Sequence, residues 1–316
     1  MSKLDFVHRP LRFLPLFLWF AISASAQSRI DCNALKSRIL GEMVRYCVLL
    51  PPSYDSAAHH ADRYPALYFL HGLGDNEQTL FKTGGWNLIE DLRGQHKVGE
   101  FLIVTPDGKT SFYVNSADGQ VRYSDFFLQE FIPYIESKYR IRRERRFRAI
   151  SGISMGGYGA LHFAFAHPDM FSSVSAQSAA LMTESPRELN AALRSGFPLR
   201  AVFGNPNNAS HWKENDPFSL ARKNKVGIGR LAIYFNCGRD DEYGFEAGAT
   251  ALDRQLQEEH VKHEFHLYPG GHSASYFGAH LGEVIEFHSK LFEAEMGKGT
   301  TSVVPTSRQK ACGLSR

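Results

Sequence analysis

The stretch Gly152-Ile153-Ser154-Met155-Gly156 reads G-x-S-x-G, the pattern of a sharp strand-to-helix turn that lifts a serine hydroxyl clear of a sheet. Glycines two before and two after the serine remove side chains that would collide where the strand arrives and the helix departs. The flanks agree. Residues 147–151 are apolar enough for a buried strand, and Gly157-Tyr158-Gly159-Ala160 opens a helical pattern with small residues where it must approach a sheet. A hydroxyl so placed attacks a carbonyl only if a base takes its proton, so a histidine is required, and an acid to orient that histidine.

Around such a turn the parts follow in the order serine, acid, histidine. His272 is the best-placed base, in the loop Pro269-Gly270-Gly271-His272-Ser273 between an apolar run and the final helical pattern. His162 and His167 lie on or just past the helix after Ser154 and are read as structural. His260, His263 and His266 are spaced by three, but they run from a helix end into a strand, so no single face collects them and no metal site is expected. His59 and His60 fall in a polar loop. The acid is sought in Cys237-Gly238-Arg239-Asp240-Asp241-Glu242, with Asp241 preferred and Asp240 its competitor. The oxyanion formed on attack needs preorganised donors. One is the N–H of Met155, and the other is assigned to Leu73, with Gly72 possible, in the loop Phe69-Leu70-His71-Gly72-Leu73-Gly74-Asp75. His71 is read as holding that loop.

These residues need a scaffold. Short apolar runs at 44–50, 66–70, 101–105, 147–151, 173–177, 199–203, 231–237 and 264–268 read as strands. Helical patterns at 124–139, 154–166, 245–259 and 274–294 lie between or after them. The alternation predicts an α/β fold, a mostly parallel sheet with helices on both faces. From Gly297 the composition turns to Gly, Thr, Ser and Lys, so 297–316 is expected to be a disordered tail after a single domain over 27–296.

The whole chain has 316 residues, 43% hydrophobic and 22% charged, which suits one folded domain with a large core. Lys3, Arg9 and Arg12 precede an apolar stretch over 14–22 and then Ala24-Ser25-Ala26, the anatomy of a secretory signal peptide over 1–26. The apolar stretch is too short for a mature anchor. A secreted or periplasmic protein with no stable membrane anchor after cleavage is therefore expected. Removing that segment takes the formal charge from +3 to +1, which leaves no electrostatic case for nucleic acid as a partner. The basic run from Arg142 to Arg146 is read as a solvated turn. Cys32, Cys47, Cys237 and Cys312 allow three disulfide connectivities and none has metal-ligand spacing; Cys237 is read as a small buried hydrophobe. No cofactor is implied.

Several segments together, ALYFLHGLGDN (66–76), VTPDG (104–108), SFYVNS (111–116), RAISGISMGGYGA (148–160), HPDMF (167–171) and GGHS (270–273), resemble the esterase D family. That family includes S-formylglutathione hydrolases, feruloyl and acetylxylan esterases, and mycolyltransferase antigens. The resemblance covers roughly residues 35–295 and implies an α/β-hydrolase fold. It implies a triad of Ser154, Asp241 and His272, and an oxyanion hole from Leu73 and Met155. The family places its acid four residues after the cysteine of C-G-x-x-D, which favours Asp241 over Asp240. A serine esterase working through an acyl-enzyme on a small-molecule or glycan ester is thus expected. The alternatives are an acyltransferase passing its acyl group to a sugar hydroxyl, and a catalytically silent binding protein on the same fold. Trp86, Asn115 and Tyr276 are expected to line the pocket, with Asn87, Phe112 and Tyr113 near them.

Overall fold

A computed structural model describes residues 28–182, 199–204 and 208–300. The expected signal peptide and Cys312 lie outside the described residues. Strands β1 (Arg29–Lys36), β2 (Met43–Leu50), β3 (Ala66–Leu70), β4 (Leu102–Pro106), β5 (Arg148–Ile153), β6 (Ser173–Gln177), β7 (Ala232–Gly238) and β8 (Glu264–Tyr268) form one sheet. Their order is β1-β2-β4-β3-β5-β6-β7-β8; β1 and β2 are antiparallel to their neighbours and β3 to β8 run parallel.

Four helices position the site: α1 (Gly85–Gly94), α2 (Met155–Ala166), α3 (Phe245–Glu258) and α4 (Ala274–Thr300). Side chains alternate along the strands between two buried cores. Tyr46, Val48, Tyr68, Leu70 and Val104 point to the face covered by α2, α3 and the helical stretch 123–138. Leu49, Leu67, Phe69 and Ile103 point to the face covered by α1 and α4, where Ile89, Leu281 and Ile285 meet them. Burial on both faces is the reason these strands read as continuous apolar runs. Helix α2 is buried along nearly its whole length, and Phe163 stacks on Phe127 at 4.4 Å between ring centres.

Residues 199–203 were expected to be a strand and form the helix Leu199–Phe203 instead. Strand β6 pairs directly with β7, so the sheet has no slot there, and the buried Leu199, Val202 and Phe203 follow the i, i+3, i+4 spacing of a helix face. Strand β1 has no apolar run to mark it in the sequence, because RIDCNALK lies at the sheet edge and is largely exposed or half-buried. Its register with β2 sets Cys32 opposite Cys47, and the two form a disulfide. Cys237 is a buried free thiol. Helix α4 runs on to Thr300, so the segment from Gly297 expected to be tail begins inside a helix; the rest of it lies outside the described residues. The basic run is only partly a solvated turn: Arg145 donates to the carbonyls of Pro168 and Arg230, and Arg143 to that of Glu136.

Candidate active site

Strand β5 ends at Ile153, and the next residue, Ser154, with φ of 56° and ψ of −116°, makes the sharp turn into α2. Two neighbours must be glycine for this turn to close. A Cβ on Gly156 would stand 2.1 Å from the Leu70 carbonyl oxygen, and one on Gly152 would stand 2.1 Å from that of Gly156. The Ser154 N–H donates to the Gln177 carbonyl at 2.9 Å, and its own carbonyl accepts from the Ala180 N–H at 3.0 Å. The turn is therefore pinned to the end of β6.

The loop after β8 brings His272 over this turn. Its Nε2 lies 2.9 Å from Ser154 Oγ, and its Nδ1 lies 2.8 Å from Asp241 Oδ2. With Nδ1–H donating to the carboxylate, Nε2 is left as the acceptor for the serine proton. Three aromatic rings meet the imidazole edge-on: Tyr243 at 4.9 Å, Phe245 at 5.4 Å and Phe277 at 5.1 Å. The backbone N–H of His272 donates to Glu242 Oε2 at 2.5 Å. The loops carrying Asp241 and His272 close on each other only because Gly238 lacks a side chain; a Cβ there would stand 2.3 Å from the Gly270 carbonyl oxygen.

Asp241 has no side-chain exposure. Burial alone would push its carboxyl pKa up, but the bond from His272, the charge of that imidazole, and the N–H groups of Tyr243 and Phe245 hold it below the usual carboxylate value. The thiol of Cys237 lies 3.7 Å from its Oδ2. Asp240 is exposed, and its N–H donates to the Gly270 carbonyl at 3.0 Å.

The positions expected for the oxyanion hole flank the serine. Met155 is the first residue of α2, where an N–H has no partner within the helix and the aligned peptide dipoles favour negative charge. The loop bearing Leu73 lies close by, since a Cβ on Gly72 would stand 3.6 Å from Ser154 Cβ. His71 holds that loop. Its Nδ1–H donates to the Gly72 carbonyl at 2.8 Å, and its Nε2 accepts the Gly108 N–H at 2.8 Å. The Tyr113 hydroxyl donates to the His71 carbonyl at 3.1 Å. His162 is buried against the Asn215 carbonyl, and burial pushes its pKa down to about 4. His263 pairs with Asp253 and His266 with Glu264. Among the described residues no group of three or more metal-ligating side chains occurs.

A mainly apolar pocket of about 330 Å³ opens beside Ser154, walled by Gly72, Leu80, Leu88, Ile153, Phe277 and Leu281. None of Trp86, Asn115 and Tyr276 lines it. Trp86 packs against the core under α1. Asn115 Oδ1 accepts the Asp125 N–H at 3.2 Å. The Tyr276 hydroxyl donates to Asn236 Oδ1 at 3.0 Å, and Phe112 and Tyr113 are buried. Residue type singled these out, but packing and hydrogen bonds within the fold engage them. The sequence offers Glu242 only as the end of the acidic segment and Phe277 only as part of the last helical pattern, with no role for either. Only the short spacing of Phe277 from His272 could have pointed to it.

Residues 37–287 match the family described as "Putative esterase". An acetyl esterase of Caldicellulosiruptor saccharolyticus is 29% identical over 236 residues, 73% of this chain and 85% of that protein. An esterase of Mycobacterium tuberculosis is 29% identical over 71% of this chain, and the match spans only 51% of that longer protein. A solved ferulic acid esterase superposes with a TM-score of 0.68 at 28% identity, covering 84% of this chain and 99% of its own. The match over most of the chain, on an α/β-hydrolase sheet with a serine at the turn after β5, places this protein in that esterase family, and it is a carboxylic ester hydrolase.

Proposed function

We propose that Ser154 is the nucleophile of this hydrolase, His272 its general base and Asp241 the carboxylate that orients the base. The observation that carries the reading is the continuous chain from Asp241 Oδ2 through the imidazole to Ser154 Oγ, with links of 2.8 and 2.9 Å. His272 takes the hydroxyl proton as Oγ bonds to the ester carbonyl carbon. The N–H groups of Met155 and Leu73 receive the resulting oxyanion. The imidazolium then returns the proton to the alkoxy oxygen, the alcohol departs, and an acyl-enzyme remains. Water repeats the sequence from the alcohol side and releases the acid. Relatives named for acetyl and ferulic acid esters support a carboxylic ester substrate.

The test is a fluorophosphonate probe, which reacts only with an activated serine. The wild-type protein should be labelled at Ser154, and S154A should lose both labelling and ester hydrolysis, by about 10⁴–10⁶ in rate. Residual turnover above a tenth of wild type would assign the attack to another residue.

Export is part of the same proposal. The charged, apolar and Ala24-Ser25-Ala26 pattern supports it, as does the Cys32–Cys47 disulfide, because such bonds persist in oxidising compartments. Protein recovered from a secreting host should begin near Gln27. An exported protein that retains Met1 would refute cleavage.

A further inference from the structure

The start of α4 carries a feature that the proton relay does not use. Ala274, Phe277, Gly278 and Leu281 all line the apolar pocket beside Ser154. Their spacing of three, four and seven residues puts them on one helix face. Along that face Ala274 and Gly278 are exposed, while Leu281 is only 5% exposed, so the face runs from the pocket's mouth to its floor. A Cβ placed on Gly278 would meet no atom within 4 Å. Glycine is a poor helix former, and nothing in the packing around residue 278 requires it. Gly85 in the opposite wall is the contrast, because a Cβ there would stand 2.4 Å from the Leu80 carbonyl oxygen. Gly85 serves the packing of the protein, whereas Gly278 leaves space.

We infer that this pocket receives the acyl chain of the ester, that Gly278 keeps its mouth open and that Leu281 closes its floor. The substrate class that follows is esters of apolar acids longer than acetate. The assignment rests on Ser154 being the nucleophile. It takes the acyl group rather than the alcohol for two reasons. The alcohol must leave past the imidazole that protonates it; the Phe277 edge of that ring borders the pocket, but its Glu242–Tyr243 edge is an open rim, with Glu242 exposed and Tyr243 55% exposed. The acyl group stays attached through the second half-reaction, and the pocket walls next to the serine, Ile153 and Gly72, are where it stays.

The experiment compares wild type, G278L and L281A on p-nitrophenyl acetate, butyrate and hexanoate, which share one leaving group, and on ethyl and hexyl acetate. Each methylene that enters the pocket should raise wild-type kcat/KM by about fourfold until the floor is reached. G278L should lower the ratio of kcat/KM on the hexanoate to that on the acetate by about tenfold or more relative to wild type, with no fall in Tm. L281A should move the optimum to longer acyl chains, which provides a second reading should G278L fail to fold. Fluorophosphonate labelling is run on all three proteins. Labelled protein whose losses are equal across the acyl series, or follow the length of the alcohol, overturns the acyl assignment alone. Wild-type protein that takes no label overturns it together with the nucleophile.

Discussion

At the scale of single residues, Asp240 and Asp241 are chemically identical neighbours with opposite environments. Asp241 is buried and bonded to the imidazole, while Asp240 is exposed and joined to the loop of His272 through its backbone N–H. A carboxylate below the imidazole does two things: it selects the Nδ1–H tautomer and stabilises the imidazolium. D241N removes both, and turnover should fall by about 10⁴, the cost of turning a triad carboxylate into an amide. D240N leaves them in place and should change turnover by less than about tenfold. The two variants are compared at one pH, with folding verified by circular dichroism. A crippled D240N with an active D241N would show that the relay runs through the other residue. In the sequence the two aspartates could be ranked only by the family's spacing from Cys237, because the direction of a loop side chain is set by contacts that come from other parts of the chain.

At the scale of elements, the turn after β5 is the most constrained piece of backbone in the site. Gly156 has backbone on the far side of its missing Cβ: the Leu70 carbonyl oxygen at 2.1 Å and that of His71 at 2.7 Å. G156A must therefore push α2 away from the end of β3 and disturb the loop that carries Leu73. Overpacking of this kind costs about 1–3 kcal/mol, read as a lower urea midpoint, and hydrolysis should fall even in the folded fraction. An unchanged midpoint and rate would show that the turn relaxes freely. This constraint is local, which is why the glycine-flanked turn at Ser154 is legible in the sequence, as is the place of His272 in the loop after the last strand. The pocket is a different matter. Its walls come from the end of β3 and the segment after it, from Ile153, and from the starts of α1 and α4, parts far apart in the chain that meet through the packing of both helices on one face of the sheet. Trp86, Asn115 and Tyr276 have the right chemistry for a pocket, but those distant contacts decide where they point. The helix Leu199–Phe203 was illegible for a related reason: five residues are too few for their apolar pattern to separate helix from strand.

At the scale of the whole molecule, α4 is joined to the sheet by a polar contact buried within an apolar layer. Ser175 Oγ donates to Ser151 Oγ at 2.7 Å, and it accepts from His288 Nε2–H at 2.8 Å. His288 Nδ1 is then free to accept the Ser173 hydroxyl, also at 2.8 Å. Such a chain requires a neutral imidazole, and complete burial pushes the His288 pKa down to about 3. In the unfolded chain the same ring titrates near the ordinary value of about 6.5. Between those two values the unfolded state carries a proton that the folded state does not. Stability must therefore rise with pH across this window and be lost as pH falls below about 6.5. Each such proton contributes a slope of about 1.4 kcal/mol per pH unit. His162, pushed down to about 4, acts in the same sense, whereas the lowered carboxyl of Asp241 matters only at lower pH. His288→Gln keeps a polar side chain between the serines but cannot take up a proton. Urea unfolding at pH 5, 6 and 7, with the Cys32–Cys47 bond intact, should show H288Q losing about one proton's worth of slope between pH 5 and 6. A slope equal to that of wild type would mean that His288 takes up its proton without leaving the folded state, and that acid acts on this protein elsewhere.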